Sequence, residues 1–196
     1  MNQEHIDVLV VGAGISGIGA GYYLKTKCPN KSFKILESRK KLGGTWDLFK
    51  YPGIRSDSDM TTMGFRFKPW TGKNLVAGGG AILDYLNDVV DENGFRDKIQ
   101  YDSHVIKASW KPSESKWYVT YQNKNDESKT IITCNFLYFC VGYYDYEKGH
   151  EPEFNGQNKF NGTIIHPQHW PENLDYKDKN VVVIGSGATA VTLIPS

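Results

Sequence analysis

The sequence predicts an α/β fold in which a Rossmann-like domain is followed by the start of a second such unit. Residues 6–11 form an aliphatic run that ends in a glycine cluster and precedes apolar residues at helical spacing, which is typical of strand, tight turn and helix. A second aliphatic run, residues 181–184, also ends in a glycine cluster. Between the two, short β-branched and aromatic runs predict an antiparallel β-meander inserted into the parallel sheet.

Composition excludes several classes of protein. The chain has 196 residues, of which 39% are hydrophobic and 23% charged, as in ordinary globular proteins. A net charge of +1 argues against a nucleic-acid or acidic-membrane partner. No apolar run approaches the roughly 18 residues of a membrane span, and the acidic Glu4 and Asp7 before the first run argue against a signal peptide, so we expect the mature protein to start near Met1.

The cysteines favour a reducing compartment. The chain has three, Cys28, Cys134 and Cys140, which are too few and too scattered for a disulfide framework. No C-x-x-C pair exists for zinc or redox chemistry, so no metal site is predicted. We therefore expect a cytoplasmic protein.

The first elements form a βαβ unit. The helix after the first glycine cluster should end before Cys28, because Pro29 disfavours helical conformation in the residue before it. Residues 33–37 then have the composition of a second strand. Residues 38–80 are rich in Gly, Pro, Ser and Asp, and so long a connection is usually functional or partly helical.

The middle of the chain predicts one helix and several strands. Apolar residues at helical spacing predict a helix that Asn93 and Gly94 end. Its apolar residues are Ala81, Leu83, Leu86, Val89 and Val90. Strands are predicted at residues 105–110, 117–122 and 130–133, with a return strand at 136–141 and a further strand at 181–184. Residues 145–180 have the composition of loops.

The first glycine cluster indicates a dinucleotide site. Residues 12–17 read G-x-G-x-x-G between a predicted strand and a predicted helix. Gly12 would permit the tight turn, Gly14 the close approach of a pyrophosphate and Gly17 close helix packing. Free N–H groups at the helix N-terminus favour the phosphates. Glu37 ends the next predicted strand, where its carboxylate can accept hydrogen bonds from an adenosine ribose.

A glycine doublet resembles the FAD-binding version of this fold. Gly43 and Gly44 are followed by Thr45 and Trp46, shortly after the predicted ribose carboxylate and the basic Arg39. Flavin disulfide reductases carry a redox cysteine near this place. This chain has none there, which disfavours that class.

Residues 160–171 match the pattern F-x-G-x-x-x-H-x-x-x-W-P at every fixed position. This pattern resembles the fingerprint of type I Baeyer–Villiger (flavin-containing) monooxygenases. Residues 51–57 look like the flavin-proximal segment of that family, and residues 185–190 look like its second, NADPH-binding motif. Residues 46–49, 51–60 and 164–171 are most similar to mycobacterial members. The fixed positions of the fingerprint are Phe160, Gly162, His166, Trp170 and Pro171.

The resemblance implies which residues bind the cofactors. Those implied for FAD are Gly12, Gly14, Ser16, Gly17, Glu37, Gly44, Thr45, Trp46, Asp47, Leu48, Asp57 and the backbone near Val105. Those implied for NADPH are Arg55, Ser56, Asp57, Gly185, Ser186, Gly187, Ala188, Thr189 and Ala190. In the family such an aspartate positions and charges an arginine, so Asp57 is the implied catalytic residue, and Asp59 could be mistaken for it. His166 is implied to couple cofactor binding to domain movement rather than to transfer protons.

The family's chemistry uses FAD, NADPH and O₂. It inserts one oxygen atom into a ketone, or oxidises soft sulfur, through a C4a-peroxyflavin. The implied partners are therefore a small ketone or thio-compound and O₂, with no nucleic acid. We expect an FAD-binding domain at residues 1–145, a fingerprint linker at 146–178 and the truncated start of an NADPH-binding domain at 179–196.

Three hypotheses remain open from the sequence. In the first, the chain is the N-terminal part of a Baeyer–Villiger-type monooxygenase. In the second, it is a flavin-binding module without turnover, either alone, as a homo-oligomer or completed by a separate C-terminal chain. In the third, it belongs to the N-hydroxylating or sulfur-oxidising flavin monooxygenases. Trp170 and Pro171 favour the first over the third. The family's catalytic arginine would lie beyond residue 196, which makes turnover by these residues alone doubtful.

Overall fold

The computed structural model describes residues 3–196 and contains one mixed β-sheet. Its strands are β1 (His5–Val11), β2 (Phe33–Leu36), β3 (Ile99–Gln100), β4 (Ser103–Lys111), β5 (Lys116–Asn123) and β6 (Lys129–Phe139). Its helices are α1 (Ile15–Lys27), α2 (Thr45–Leu48), α3 (Met60–Met63), α4 (Gly79–Glu92) and α5 (Ala188–Leu193). Single 3₁₀ turns lie at Arg96–Lys98, Pro112–Glu114, Gln157–Lys159 and Pro167–His169.

The sheet confirms the predicted fold class. The strand order is β3-β2-β1-β6-β5-β4. β1 pairs in parallel with β2 and β6, and β2 pairs in parallel with β3. β4, β5 and β6 form the antiparallel meander. Leu9 and Val10 of the central strand β1 are fully buried, as expected for a parallel strand with neighbours on both sides.

The predicted helices are also present. α1 ends at Lys27, directly before the C-cap Cys28, and its glycine-rich face packs closely. A Cβ at Gly21 would lie 2.8 Å from the ring of Phe95 and 3.0 Å from Ile35, so glycine allows α1 to approach its neighbours. The long connection at residues 38–80 is partly helical, since it contains α2, α3 and the start of α4.

The last strand of the meander and the return strand are one continuous strand, β6 (Lys129–Phe139). This corrects the prediction of separate strands at residues 130–133 and 136–141. Cys134 and Asn135, which join the two runs, make no turn, and β6 continues through them. Residues Lys129–Cys134 pair with β5, whereas Thr133–Phe139 pair with β1. Beyond Cys134, the side of β6 opposite β1 has no partner strand within the described residues.

The predicted strand at residues 181–184 is wrong. No strand is assigned there, and Val182 and Ile184 are 84% and 73% exposed. The physical reason is that a strand needs a partner for its N–H and C=O groups, and no described strand pairs with this run. The helix that follows is short, because α5 ends at Leu193, shortly before Pro195.

The described chain forms two compact units. The first comprises the residues up to Thr45 together with Ile82–Gly142 and contains the whole sheet. The second comprises Trp46–Ala81 and Tyr143–Ser196 and consists of loops, 3₁₀ turns and short helices. Within residues 3–196, no helix combines the length and the apolar character needed to cross a membrane.

Candidate functional site

Two glycines of the first motif are required by the fold itself. Gly12 has a φ of +101°, a conformation that residues with a side chain rarely adopt. Its N–H donates to the carbonyl of Leu36, 2.8 Å away, which fixes the turn against β2. A Cβ at Gly17 would collide with the carbonyl oxygen of Gly12. These two positions therefore set the turn between β1 and α1 and the close approach of α1 to that turn.

Gly14 is different, because no described residue excludes a side chain there. Its φ of −77° is ordinary, and the nearest atom to a Cβ would be the Cα of Gly44 at 3.6 Å, a normal contact. Gly14 is the N-cap of α1, so free N–H groups of the first helical turn lie beside this open space. A glycine that the fold does not need, next to a helix N-terminus, fits a phosphate group passing close to the backbone.

The glycine doublet is attached to the same turn. The N–H of Gly43 donates to the carbonyl of Ala13 over 2.9 Å. Gly43 and Gly44 have φ values of +122° and +55°, so glycine suits both positions. The structure therefore brings together the two glycine-rich segments that the sequence singled out separately.

Glu37 lies directly after β2 and is 5% exposed. Its Oε2 accepts a hydrogen bond of 2.7 Å from the N–H of Ala13, and its Oε1 accepts one of 2.9 Å from the N–H of Arg39. The hydroxyl of Ser38 lies 3.4 Å from Oε1. The carboxylate is thus oriented by the glycine turn that it faces.

One acceptor position remains on that carboxylate. A carboxylate offers about four lone-pair sites; the two backbone N–H groups and the Ser38 hydroxyl occupy three of them. The remaining site, on Oε2, is left for a donor such as a ribose hydroxyl. The residues therefore fit the adenosine end of a dinucleotide in both sterics and donor–acceptor chemistry.

The backbone around Glu37 is held by the segment that contains β3 and β4. The N–H of Glu37 donates to Gln100, and the N–H of Ser103 donates to the carbonyl of Glu37. Val105 lies two residues further along β4, beside an irregularity in pairing between Val105 and Lys107 that is typical of a β-bulge. Such a bulge leaves backbone groups unpaired. The cofactor contact expected for the backbone near Val105 stays a prediction.

The other predicted residues of the first motif and of α2 lie as follows. Ser16 is exposed on the first turn of α1. Thr45 starts α2, and Trp46 and Leu48 are half-buried. Asp47 is 7% exposed and pairs with Lys50 over 3.7 Å.

Ser56 anchors the segment predicted to face the flavin. The N–H of Ser56 donates to the carbonyl of Ala77 at 2.9 Å, and the N–H of Ala77 donates to the Ser56 hydroxyl at 3.1 Å. Arg55 forms an isolated antiparallel bridge with Gly78. Ser56 is buried while Arg55 and Asp57 are exposed, so the backbone is fixed and the two charged side chains project from it.

Asp57 and Asp59 have different surroundings. Asp59 is the N-cap of α3: its carboxylate accepts from the N–H of Thr62 at 2.9 Å and from the Thr62 hydroxyl at 3.0 Å. These bonds lower the pKa of Asp59. No hydrogen bond or ion pair within residues 3–196 engages the carboxylate of Asp57. Asp59 is therefore structural, and Asp57 is the one with a carboxylate available to a partner.

An aromatic cluster adjoins Asp57. The rings of Phe49 and Tyr51 lie 5.8 Å apart, and those of Phe49 and Tyr144 lie 5.2 Å apart, both edge to face. The hydroxyls of Tyr143 and Tyr144 are hydrogen-bonded to each other over 3.3 Å. This hydrogen bond and burial, with a smaller contribution from the charge of Asp57, raise the pKa of Tyr144 to about 12.

The second glycine motif forms a turn and a short helix. Gly185 has a φ of +135°, and Gly187 is the N-cap of α5. A Cβ at either position would meet no atom within 4 Å. Ser186 and Ala188 are exposed, Thr189 is half-buried and Ala190 is buried. The positive φ therefore gives a reason for glycine at position 185, whereas the described residues give no steric reason for glycine at position 187.

The first half of the fingerprint is a local contact. A Cβ at Gly162 would lie 2.5 Å from the nearest ring atom of Phe160, so the ring covers the glycine backbone. Phe160 is nevertheless 61% exposed. The spacing F-x-G thus has a steric reason: only glycine lets the ring lie there.

The second half is a 3₁₀ turn. His166 is the N-cap of Pro167–His169, and its Nδ1 accepts from the N–H of Gln168 over 3.2 Å. Trp170 is extended, as a residue before proline must be, and its ring packs edge to face on Tyr176 at 5.7 Å. Pro171 itself is exposed. The fingerprint thus forms two small, separately stabilised pieces.

The buried cysteines are unreactive. Burial raises the pKa of Cys134 to about 11 and also raises the pKa of Cys140. The backbone of Cys140 packs against Gly12, its carbonyl carbon lying 3.0 Å from where a Cβ would be. Both thiols therefore stay protonated near neutral pH, and a thiol is a weaker nucleophile than a thiolate.

Several residues of the site were not predicted. Gln168 is 5% exposed, and its side-chain amide donates to the carbonyl of Asp145 over 2.6 Å. Gly149 packs against His166. Tyr144 joins the aromatic cluster. Gln168 occupies an unspecified position of the fingerprint, and no sequence pattern pointed to the other two.

Comparison with known proteins identifies the family. Residues 73–195 match the family model for flavin-binding monooxygenase-like proteins, and residues 10–71 match the model for an NAD(P)-binding Rossmann-like domain. The chain is 55% identical over 193 residues to the FAD-containing monooxygenase EthA of Mycolicibacterium smegmatis. It is 52% identical over 194 residues to a probable FAD-binding monooxygenase, AlmA, of an Acinetobacter species. These alignments cover 98% and 99% of the chain and 39% of each relative.

Solved structures agree. An oxidised steroid monooxygenase bound to NADP superposes with a TM-score of 0.82 at 29% identity, covering 97% of this chain and 36% of that protein. Cyclohexanone-bound cyclohexanone monooxygenase superposes with a TM-score of 0.84 at 28% identity, covering 100% and 37%. The chain thus spans about 39% of the length of the curated relatives that it matches. With the glycine turn, the buried Glu37 and the fingerprint in place, and with a family model matched over most of the sequence, the chain belongs to the flavin-binding monooxygenase-like family.

Proposed function

We propose that the chain binds FAD and forms part of an NADPH- and O₂-dependent monooxygenase that inserts one oxygen atom into ketones or oxidises soft sulfur. The observation that carries the proposal is the open space at Gly14, beside the N-cap of α1 and faced by Gly44. The fold itself does not need glycine there, whereas a pyrophosphate does. The names of the relatives, which include FAD-containing and cyclohexanone monooxygenases, support the same assignment.

The first unit would hold the adenosine diphosphate part of FAD. Gly12 and Gly17 would shape the turn, the N–H groups after Gly14 would take the phosphate charge, and Oε2 of Glu37 would accept from a ribose hydroxyl. Because Ala13 and Arg39 already orient the Glu37 carboxylate, little side-chain entropy is lost on binding. Thr45 to Leu48 and the bulged backbone near Val105 would contact the rest of the cofactor.

Cofactor contacts are also proposed for Arg55, Ser56 and Asp57. The two hydrogen bonds between Ser56 and Ala77 hold this backbone, so the position from which the Asp57 side chain projects is fixed. Its carboxylate would orient a cationic partner and stabilise the charge of that partner. Residues 185–190 would contact NADPH. Bound FAD would supply the redox and oxygen-transfer chemistry, while the protein groups bind, orient and exclude water.

The substrates and setting of the enzyme are part of the proposal. A small ketone or thio-compound and O₂ are proposed as substrates, supported by the cyclohexanone and steroid monooxygenases among the structural relatives. A cytoplasmic location is supported by the unpaired, buried thiols of Cys134 and Cys140. The domain limits at residues 145 and 178 are likewise proposed.

A second candidate function is a flavin-binding module that turns over only with a further chain, either a C-terminal partner or another copy. It is favoured by the exposed aliphatic run at 181–184 and by the side of β6 beyond Cys134 that has no partner strand in the described residues. An NADPH-consumption assay with a cyclic ketone, with and without added FAD, tests this second candidate. Ester or lactone formed by the 196-residue chain alone would contradict it, whereas FAD binding without product until a further chain is added would support it.

Glu37→Ala tests the cofactor site. The variant should weaken FAD binding by about 1 to 3 kcal/mol, because a ribose hydroxyl loses its acceptor. The measurement is a fluorescence titration of FAD, normalised to the folded fraction, since the N–H of Ala13 also loses its partner. Glu4→Ala removes an exposed carboxylate of the same unit, paired with Lys34, and should leave FAD binding unchanged. Equal FAD affinity of wild type and Glu37→Ala would remove Glu37 from the site.

A further inference from the structure

The imidazole of His166 lies flat against the backbone of Gly149. A Cβ built on Gly149 would lie 2.5 Å from Nδ1 and 2.7 Å from Nε2, closer than any real side chain could come. Gly149 is buried and does not have a positive φ, so its backbone conformation does not call for glycine. A side chain at position 149 would therefore displace the ring of His166 from this position.

Gln168 fixes the same ring from another direction. Its backbone N–H donates to Nδ1 of His166 over 3.2 Å. An imidazole nitrogen that accepts a hydrogen bond carries no proton, so in the neutral ring the proton must be on Nε2. The neighbouring position of the 3₁₀ turn, Pro167, lacks an N–H and cannot compete for Nδ1.

The side chain of Gln168 connects this turn to the loop that contains Gly149. The amide is 5% exposed and donates to the carbonyl of Asp145 over 2.6 Å. A buried amide that lost this bond would bear an unsatisfied donor, which is costly. The contact therefore holds the turn of His166 against residues 145–149 and maintains the ring on Gly149.

We propose that Gly149 and Gln168 are positioning residues for His166, holding its imidazole in one orientation and as the Nε2–H tautomer. Within residues 3–196, Nε2 has no hydrogen-bond partner, so the arrangement presents one fixed N–H donor for an oxygen acceptor. The fingerprint histidine thus acts as an oriented donor whose direction is set by two residues outside the fixed positions of the fingerprint. A role of this donor in the reaction rests on the proposed monooxygenase function. The tautomer and the orientation of the ring can be measured without any cofactor.

The test reads the tautomer directly. Long-range ¹H–¹⁵N spectra of the ¹⁵N-labelled chain at pH 8 separate Nδ1 and Nε2 of each of the five histidines, and His166→Gln assigns the signals of His166. The wild type should show His166 almost entirely as Nε2–H. Gly149→Ala, which displaces the ring, and Gln168→Met, which keeps the side-chain volume but removes the amide donor, should each give a mixture of tautomers. FAD binding, which tests the proposed function, is measured separately.

Gly80→Ala is the matched control. A Cβ there would meet no atom within 4 Å, so the His166 signals should not change. If Gly149→Ala does not fold, Gln168→Met decides the question alone. The proposal is overturned if wild-type His166 is mainly the Nδ1–H tautomer or a mixture, or if the folded variants leave its signals as in the wild type.

Discussion

The two glycine motifs of the chain have similar sequences and different structural settings. The run before the first motif is β1, paired on both sides, with Leu9 and Val10 fully buried. The run before the second, residues 181–184, forms no strand, and Val182 is 84% exposed. Both motifs nevertheless make the turn and start a helix. Turn and helix depend on local sequence, whereas a strand depends on a partner.

The third position of each motif shows a second difference. Gly17 touches the carbonyl of Gly12 so closely that no side chain fits, whereas the matching residue of the second motif, Ala190, is buried with its methyl group accommodated. The first helix therefore lies closer to its turn than the second. The glycine pattern alone does not set this distance.

Amide hydrogen exchange should show the largest contrast between the motifs. Amides of β1 open only with the unit, so at an ordinary stability of about 5 to 15 kcal/mol they should exchange roughly 10³-fold or more slowly than unprotected ones. Amides of residues 181–184, without ladder bonds, should exchange nearly as fast as in an unfolded peptide. The measurement is exchange by mass spectrometry on the dilute 196-residue chain.

The backbone bonds of α5 serve as an internal reference. The N–H groups of Val191 and Ile194 donate to Gly187 and Ala190, so they should be slower than residues 181–184. Strong protection of 181–184 in a dilute monomer would contradict the comparison. Protection that grows with protein concentration would show that another copy pairs with this run.

Gly17→Ala should give the next largest effect. The added methyl group collides with the carbonyl of Gly12, and such overpacking costs about 3 kcal/mol. The opposite change at the matching position, Ala190→Gly, meets no steric barrier and should cost about 1 kcal/mol through helix propensity. Urea denaturation followed by circular dichroism measures both. A Gly17→Ala chain as stable as the wild type would show that α1 can move away from the turn at little cost.

The elements of the fold that depend on local sequence could be predicted, whereas those that depend on a pairing partner could not. Pro29 marked the end of α1, and short β-branched and aromatic runs marked β4 and β5, because these signals are local. β3 was missed, since two residues, Ile99 and Gln100, carry no periodicity and are identified only by pairing with β2. The continuity of β6 was missed because its two halves have different partners.

The candidate site divides similarly. Gly12, Gly14 and Glu37 were predicted from their spacing after strands. That the N–H of Ala13 orients the Glu37 carboxylate could not be predicted, since it requires the distance between two loops. Gly149 was missed because the ring that excludes a side chain there belongs to His166, which is distant in sequence.

A comparison of Gly14→Ala with Gly187→Ala isolates the effect of a side chain on FAD binding. The difference in stability expected between these two variants is the smallest of those considered. Both residues are helix N-caps without a positive φ, and neither substitution produces a clash, so both variants bear the same small cost of alanine at a cap. Their thermal midpoints should therefore fall by similar amounts. Only Gly14→Ala places a methyl group where the proposed pyrophosphate passes, and it should lower FAD affinity about tenfold, or about 1.4 kcal/mol. Gly187→Ala should leave FAD affinity unchanged in a fluorescence titration. If the two variants bind FAD equally well, the space at Gly14 is not the phosphate site, and the first glycine motif differs from the second only in how its strand is paired.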